Sequence, residues 1–213
     1  MALFQKKPVV TSSAPAYTIG ATKTLLIIGL GNPEQKYVGT RHNIGFAVVS
    51  DFAIANDFPS WVSKKDLKAD LTIHTLGESR VILAKPTTYM NKSGDAAQAI
   101  QRFYQIHNSQ TLAIYDELAI PFGQIRSRIG GADAGHNGVK SLIQHLGDDF
   151  GRLRIGVGNE PAIKMDSADF VLAKFSKAEQ GSLPKILREA SALVTEYIFS
   201  GQLPHDTRTV IQD

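Results

Sequence analysis

Apolar positions along this chain fall into two rhythms. Thr24-Leu25-Leu26-Ile27-Ile28-Gly29-Leu30 is an unbroken apolar run closed by Gly31-Asn32-Pro33, which predicts a strand buried on both faces. Thr111-Leu112-Ala113-Ile114-Tyr115 predicts a second buried strand, ending at Asp116. Residues 71–76 and 80–85 flank Gly77 and predict a hairpin. Residues 123–129 and 152–157 alternate apolar with polar, as strands do. Between these segments the spacing turns helical. Ile44, Val48, Phe52 and Ile54 mark a helix over residues 43–56. Ala96, Ala97, Ile100, Phe103 and Tyr104 mark one over 92–106, and residues 139–146 a shorter one. Leu183, Ile186, Leu187, Ala190, Leu193, Val194, Tyr197 and Ile198 form one long apolar stripe. Ser176 and Glu179 have capping-box spacing ahead of it, but Gly181 and Pro184 intervene and predict a later start. Strands mixed with helices predict an α/β fold.

The first 22 residues hold Lys6-Lys7-Pro8 and Thr11-Ser12-Ser13-Ala14-Pro15 and have no period. They read as a flexible extension ahead of one domain over residues 23–213. No stretch there is apolar enough for a secretory signal, and no Arg precedes Arg41, as a transit peptide would require. No apolar run approaches the roughly 20 residues of a membrane span. With 0 Cys, thiolate metal sites, disulfides and a cysteine nucleophile are excluded. Lys+Arg 23 against Asp+Glu 20 leaves a net charge of only +3, so any nucleic acid must be gripped by local patches.

Several familiar site patterns fail. Gly29-Leu30-Gly31 follows a strand, yet the third glycine of a dinucleotide motif would fall at Glu34. Residues 131–141 lack the Gly-Lys pair of a phosphate loop, because Val139 separates Gly138 from Lys140. No G-x-S-x-G and no H-E-x-x-H occurs, and no two of the six His stand four apart. What remains is a set of polar residues just past strand ends: Asn32 and Tyr37, Arg41-His42-Asn43, Tyr89-Met90-Asn91, Asp116 and His136-Asn137. One His, one Asp and three Asn can supply a general base, its orienting carboxylate and amide donors for an attack by water. The same residues beside Gly and Pro are also ordinary turn and cap residues, so spacing alone leaves both readings open.

The strings themselves go further. Gly29-Leu30-Gly31-Asn32-Pro33 with Tyr37 and Thr40-Arg41-His42-Asn43-Ile44-Gly45 resembles the opening motif of bacterial-type peptidyl-tRNA hydrolases. Pro86-Thr87-Thr88-Tyr89-Met90-Asn91-Lys92-Ser93-Gly94 resembles that family's second motif, and Asp116-Glu117-Leu118 with Pro121-Phe122-Gly123 its third. Gly135-His136-Asn137-Gly138-Val139-Lys140-Ser141, Arg152-Leu153-Arg154-Ile155-Gly156-Val157-Gly158 and Asp169-Phe170-Val171-Leu172 resemble three later ones, all in family order.

The resemblance implies a single α/β domain with a mixed, twisted central sheet surrounded by helices. It implies hydrolysis of the ester between peptide and tRNA, with no metal and no cofactor, by a cytoplasmic monomer that grips the acceptor stem and 3′ end of its substrate. Carried over by motif, His42 is the catalytic base and Asp116 its carboxylate partner. Asn32, Asn91 and Asn137 position substrate and water, Tyr37 and Met90 line the pocket, and His136 is placed with these substrate-binding residues. Arg128 and Arg154 form a basic pair on the tRNA 5′ phosphate. Three departures touch loops: Ala119 where members often carry a carboxylate, Ala132-Asp133-Ala134 in the Gly-rich loop, and a slightly short loop over residues 147–150. Two rivals are a catalytically idle RNA-binding protein of the same fold, which an intact His, Asp and Asn set opposes, and a small-ester hydrolase indifferent to RNA. Arg126 with Arg128 and Arg152 with Arg154, each pair two apart on a predicted strand, oppose the second by putting four cations in position for phosphate.

Overall fold

The computed structural model describes residues 23–211; the N-terminal extension read from the sequence lies outside them. One sheet of eight strands runs in the order β2-β3-β4-β1-β5-β7-β6-β8. Its strands are β1 (Lys23–Gly29), β2 (Val62–Lys64), β3 (Ala69–Leu76), β4 (Ser79–Pro86), β5 (Thr111–Pro121), β6 (Gln124–Ile129), β7 (Gly151–Gly158) and β8 (Asp206–Thr209). The inner strands β4, β1, β5 and β7 are parallel, and antiparallel strands flank them on both sides. This is the mixed sheet the family resemblance implies.

The apolar runs of β1 and β5 divide between two cores. Leu25, Ile27, Leu112 and Ile114 face helices α1 (Ile44–Ala55) and α6 (Lys177–Ser200). Leu26, Ile28, Ala113 and Tyr115 face α2 (Ser93–Tyr104) and α3 (Asn137–Leu146). A strand covered on both sides gains nothing from alternation, which is why these segments read as unbroken apolar runs. Two short helices, α4 (Glu160–Lys164) and α5 (Ser167–Leu172), lie between β7 and α6.

Four expectations need correction. β5 does not end at Asp116 but continues to Pro121, with a shift of register against β7 between Glu117 and Pro121. The C-terminal helix begins at Lys177, with both arms of the Ser176–Glu179 capping box closed and Pro184 inside it. A second tie outweighs the proline: Glu179 is also held by an ion pair from Arg41. Ile54 is exposed, since it stands only two residues beyond Phe52 and off the buried stripe. Phe103 is exposed too, resting edge-on against Tyr104 instead of the core.

A backbone crossing sets where α1 starts. A Cβ on Gly29 would lie 2.7 Å from the carbonyl carbon of Gly45 and 2.9 Å from Val49 Cγ2. One on Gly45 would lie 2.5 Å from Leu30 N and would also strike the Ile114 carbonyl oxygen. The two glycines let the first turn of α1 rest directly on the end of β1 and on the middle of β5 at Ile114. Gly45→Ala is therefore expected to cost about 1–3 kcal/mol by overpacking. Gly181→Ala, in α6 with nothing near the added methyl, is expected to stabilise by about 0.4–1 kcal/mol. Urea unfolding of the two variants checks both signs.

Candidate active site

The crossing at Gly45 carries the turn Arg41–Asn43 over the sheet. His42 Nδ1 meets Asp116 Oδ1 at 2.9 Å, from a side chain only 11% exposed to one 2% exposed. The same oxygen receives His136 Nε2 at 3.1 Å. His136 is the N-cap of α3, and its Nδ1 accepts the backbone N–H groups of Gly138 and Val139 at 3.1 and 3.2 Å. Burial works to raise the Asp116 carboxyl. Its interaction with His136, and then the bond with His42, outweigh burial and pull it well below the usual carboxylate range.

Each residue beside the dyad has its own fixture. Asn43 clamps Asn32 from both sides: its Oδ1 accepts the Asn32 N–H at 2.9 Å and its Nδ2 donates to the Asn32 carbonyl at 2.9 Å. Asn32 Oδ1 in turn accepts the Met90 N–H at 2.8 Å, which leaves the Asn32 Nδ2 without a protein partner among the described residues. Met90 is buried against α3, where a Cβ on Gly138 would come within 2.5 Å of its sulfur. Asn91 and Asn137 are exposed on the walls. At the rim the Tyr89 hydroxyl donates to Glu34, which is paired with Lys36 at 2.8 Å. Asn32, Tyr37, His42, Met90, Asn91, Asp116, His136 and Asn137 all line one cleft of about 790 Å³.

Helix α5 roofs this cleft with Asp166, Ser167, Val171 and Leu172, and Arg41 holds it there. Arg41 donates to the carbonyls of Phe170, Ala173 and Lys174, lies 4.1 Å from the Phe170 ring centre, and pairs with Glu179 at 2.7 Å. Sequence reasoning missed the roles of Arg41 and Asn43. The available signal was their position on either side of His42. Tyr89 and the segment Asp169–Leu172 stood out in the sequence, but their places at the rim and in the roof did not.

His42, Asp116 and His136 bring three ligand-type atoms within 4.8 Å of one another. A cation there would need a lone pair on His136 Nε2. Because Nδ1 accepts two N–H groups, Nε2 carries the ring proton, and the cluster does not fit a metal.

Arg128 and Arg154 lie elsewhere, on the sheet face of β6 and β7. Cross-strand register pairs Arg126 with Arg154 and Arg128 with Arg152, so the four guanidinium groups form a block. Arg152 is not available for phosphate. It is 1% exposed, donates to the Ala132 and Asp148 carbonyls at 2.8 and 3.4 Å, and stacks on Phe150. Four cations poised for phosphate are thus three. Arg128 Nε donates to the Gly130 carbonyl at 2.7 Å. Arg154 is half-buried, and burial lowers its affinity for a proton, Arg128 and Arg126 adding to the effect while Tyr115 and Glu117 oppose it. Among the described residues Arg126 and Arg128 meet only neutral acceptors, Gln124 and the Gly130 carbonyl, and neither they nor Arg154 forms an ion pair with a carboxylate.

A family model described as peptidyl-tRNA hydrolase matches residues 26–211. A peptidyl-tRNA hydrolase of Gloeobacter violaceus is 48% identical over 164 residues, covering 76% of this chain and 81% of that protein. One from Exiguobacterium sibiricum is 43% identical over 173 residues, 81% of this chain and 92% of that one. The crystal structure of the Acinetobacter baumannii peptidyl-tRNA hydrolase is similar with a TM-score of 0.74 at 32% identity, over 86% of this chain and 92% of that chain.

Glu179→Gln is expected to cost about 3–5 kcal/mol, because it strands the Arg41 charge in the interior. Glu196→Gln removes one of three carboxylates around Arg208 from an exposed position and is expected to cost less than about 1 kcal/mol. Denaturant titration of the two variants makes the comparison.

Proposed function

The chain belongs to the peptidyl-tRNA hydrolase family, and on that premise we propose which residues carry its reaction. The protein is an enzyme that hydrolyses the ester between peptide and tRNA in peptidyl-tRNA, a step in translation. In the proposed mechanism His42 is the general base and Asp116 its orienting partner. The single observation that carries this reading is the 2.9 Å contact between His42 Nδ1 and Asp116 Oδ1. An ionised carboxylate at that distance keeps the ring proton on Nδ1 and leaves Nε2 with its lone pair, without a protein partner among the described residues. Nε2 takes a proton from water as the oxygen attacks the ester carbonyl. The tetrahedral oxyanion accepts hydrogen bonds from side-chain amides, for which Asn32 Nδ2, Asn91 and Asn137 are positioned around the cleft. Collapse expels the hydroxyl of the terminal ribose, which takes the proton back from the imidazolium. The products are a peptide carboxylate and tRNA, with no covalent intermediate and no metal or cofactor. Tyr37 and Met90 shape the apolar wall beside the ester.

Outside the cleft, Arg128 and Arg154 are proposed to hold the 5′ phosphate of the tRNA, supported by their places on neighbouring strands beside Arg126. The acceptor stem would cross β6 and β7 while the 3′ end enters the cleft. Among the described residues no helix is long and apolar enough to cross a membrane. The proposed place of action is the cytoplasm, as a monomer.

His42→Ala is expected to lose about a hundred- to ten-thousand-fold in rate on N-blocked aminoacyl-tRNA, with little change in tRNA binding. Wild-type turnover is expected to survive excess chelator. Loss with chelator and return with zinc would overturn the metal-free mechanism.

Arg128→Ala is expected to raise KM on 5′-phosphorylated substrate and to leave substrate lacking that phosphate almost unchanged. The salt dependence should flatten by somewhat under about one unit of log–log slope. Equal weakening of both substrates would leave only diffuse electrostatic attraction.

A further inference from the structure

Both nitrogens of His136 are committed, and this fixes where its proton sits. Nδ1 accepts the N–H groups of Gly138 and Val139 and therefore carries no hydrogen. Nε2 must hold the one ring proton and donates it to Asp116 Oδ1 at 3.1 Å. A second proton would have to enter on Nδ1, displacing two hydrogen bonds at the positive end of α3. The ring is 7% exposed and lies 5.0 Å from the Tyr115 ring and 4.9 Å from that of His42. It is a fixed, neutral donor aimed at the oxygen that also receives His42.

We infer that His136 is a positioning residue that shares the charge of Asp116 with His42 and fixes the carboxylate that orients the base. The inference rests on the reading of His42 as the base. Two donors on one oxygen have opposite consequences. The second donor helps hold Asp116 ionised and fixes the direction of Oδ1, which keeps His42 in the tautomer that exposes Nε2. It also draws off part of the carboxylate charge that would otherwise stabilise the His42 imidazolium.

Other groups face the same cleft: Glu117 beside Asp116 on β5, Asp166 at the start of α5, Tyr89 and Lys92 from the segment before α2, and Tyr37 from the loop after β1. Among the described residues none of these groups hydrogen-bonds to Asp116 or to His42, and the side chains that reach the Asp116 carboxylate are His42 and His136. The charge-sharing effect therefore belongs to His136.

His136→Asn separates this role from capping. Asn is among the best N-cap residues and can accept the same backbone N–H groups, but it is too short to reach Asp116 in their place. The expected result is a folded protein of somewhat lower thermal stability, because Asp116 loses one of its two donors, with kcat lower by about ten-fold and the loss larger in kcat than in KM. A folded variant with wild-type kcat would overturn the inference and leave His136 as a cap alone. An independent reading comes from long-range nitrogen–proton NMR correlations on wild-type protein. These should show His136 as an Nε2–H tautomer at neutral pH. An Nδ1–H pattern would overturn the inference. The NMR measurement needs no turnover, so it decides the His136 assignment separately from the base assignment. Failure of the base assignment would appear instead as full activity in His42→Ala.

Discussion

A carboxylate buried in the middle of a sheet dictates most of what surrounds it. Asp116 sits on the inner parallel strand β5 with almost no access to water, and an ion there must be compensated by donors close at hand. The fold supplies two imidazoles from separate segments, and each brings its own scaffold. His42 arrives on a turn that reaches the sheet because Gly29 and Gly45 let α1 rest on β1 and β5. His136 arrives as the N-cap of α3, with its ring fixed by the helix it caps and Gly138 making room for Met90. The cleft is in this sense a by-product of solving one burial problem.

Arginine serves two separate purposes in the molecule. Arg41 and Arg152 are interior braces. One ties the roof helix and the start of α6 to the turn that carries His42, and the other ties the loop before α3 to the sheet. Arg126, Arg128 and Arg154 keep more contact with solvent and form a positive surface. A guanidinium suits both tasks, since its planar fork satisfies several carbonyls at once as readily as it meets a phosphate.

The architecture was largely legible in the sequence, because β1, β5, the hairpin of β3 and β4, and α1 to α3 each carry a clear period. The short edge strands β2 and β8 were not; segments of three and four residues give periodicity too little to act on. Turn residues at the end of β1 marked its boundary well. An Asp after an apolar run marked β5 badly, because this Asp is satisfied by histidines from elsewhere and the strand runs on. The eight proposed cleft residues converge on one cleft, as the motifs implied. The duties of Arg41 and Asn43 stayed hidden because their partners lie far along the chain, at Glu179, or are backbone groups. Arg152 and Arg128 look alike in sequence, and only the packing of Phe150 and the Gly-rich loop separates them.

The bond from Arg41 to Glu179 spans 138 positions along the chain. While this protein is being made, it is itself a peptide esterified to tRNA, and so belongs chemically to the class of molecule it destroys. Its roof helix and the anchor of that helix are made long after the turn that carries His42. The braced cleft therefore cannot form until Glu179 has been made and released from the exit tunnel. A hydrolase assembled in this order carries its base for much of its synthesis without the braced site around it.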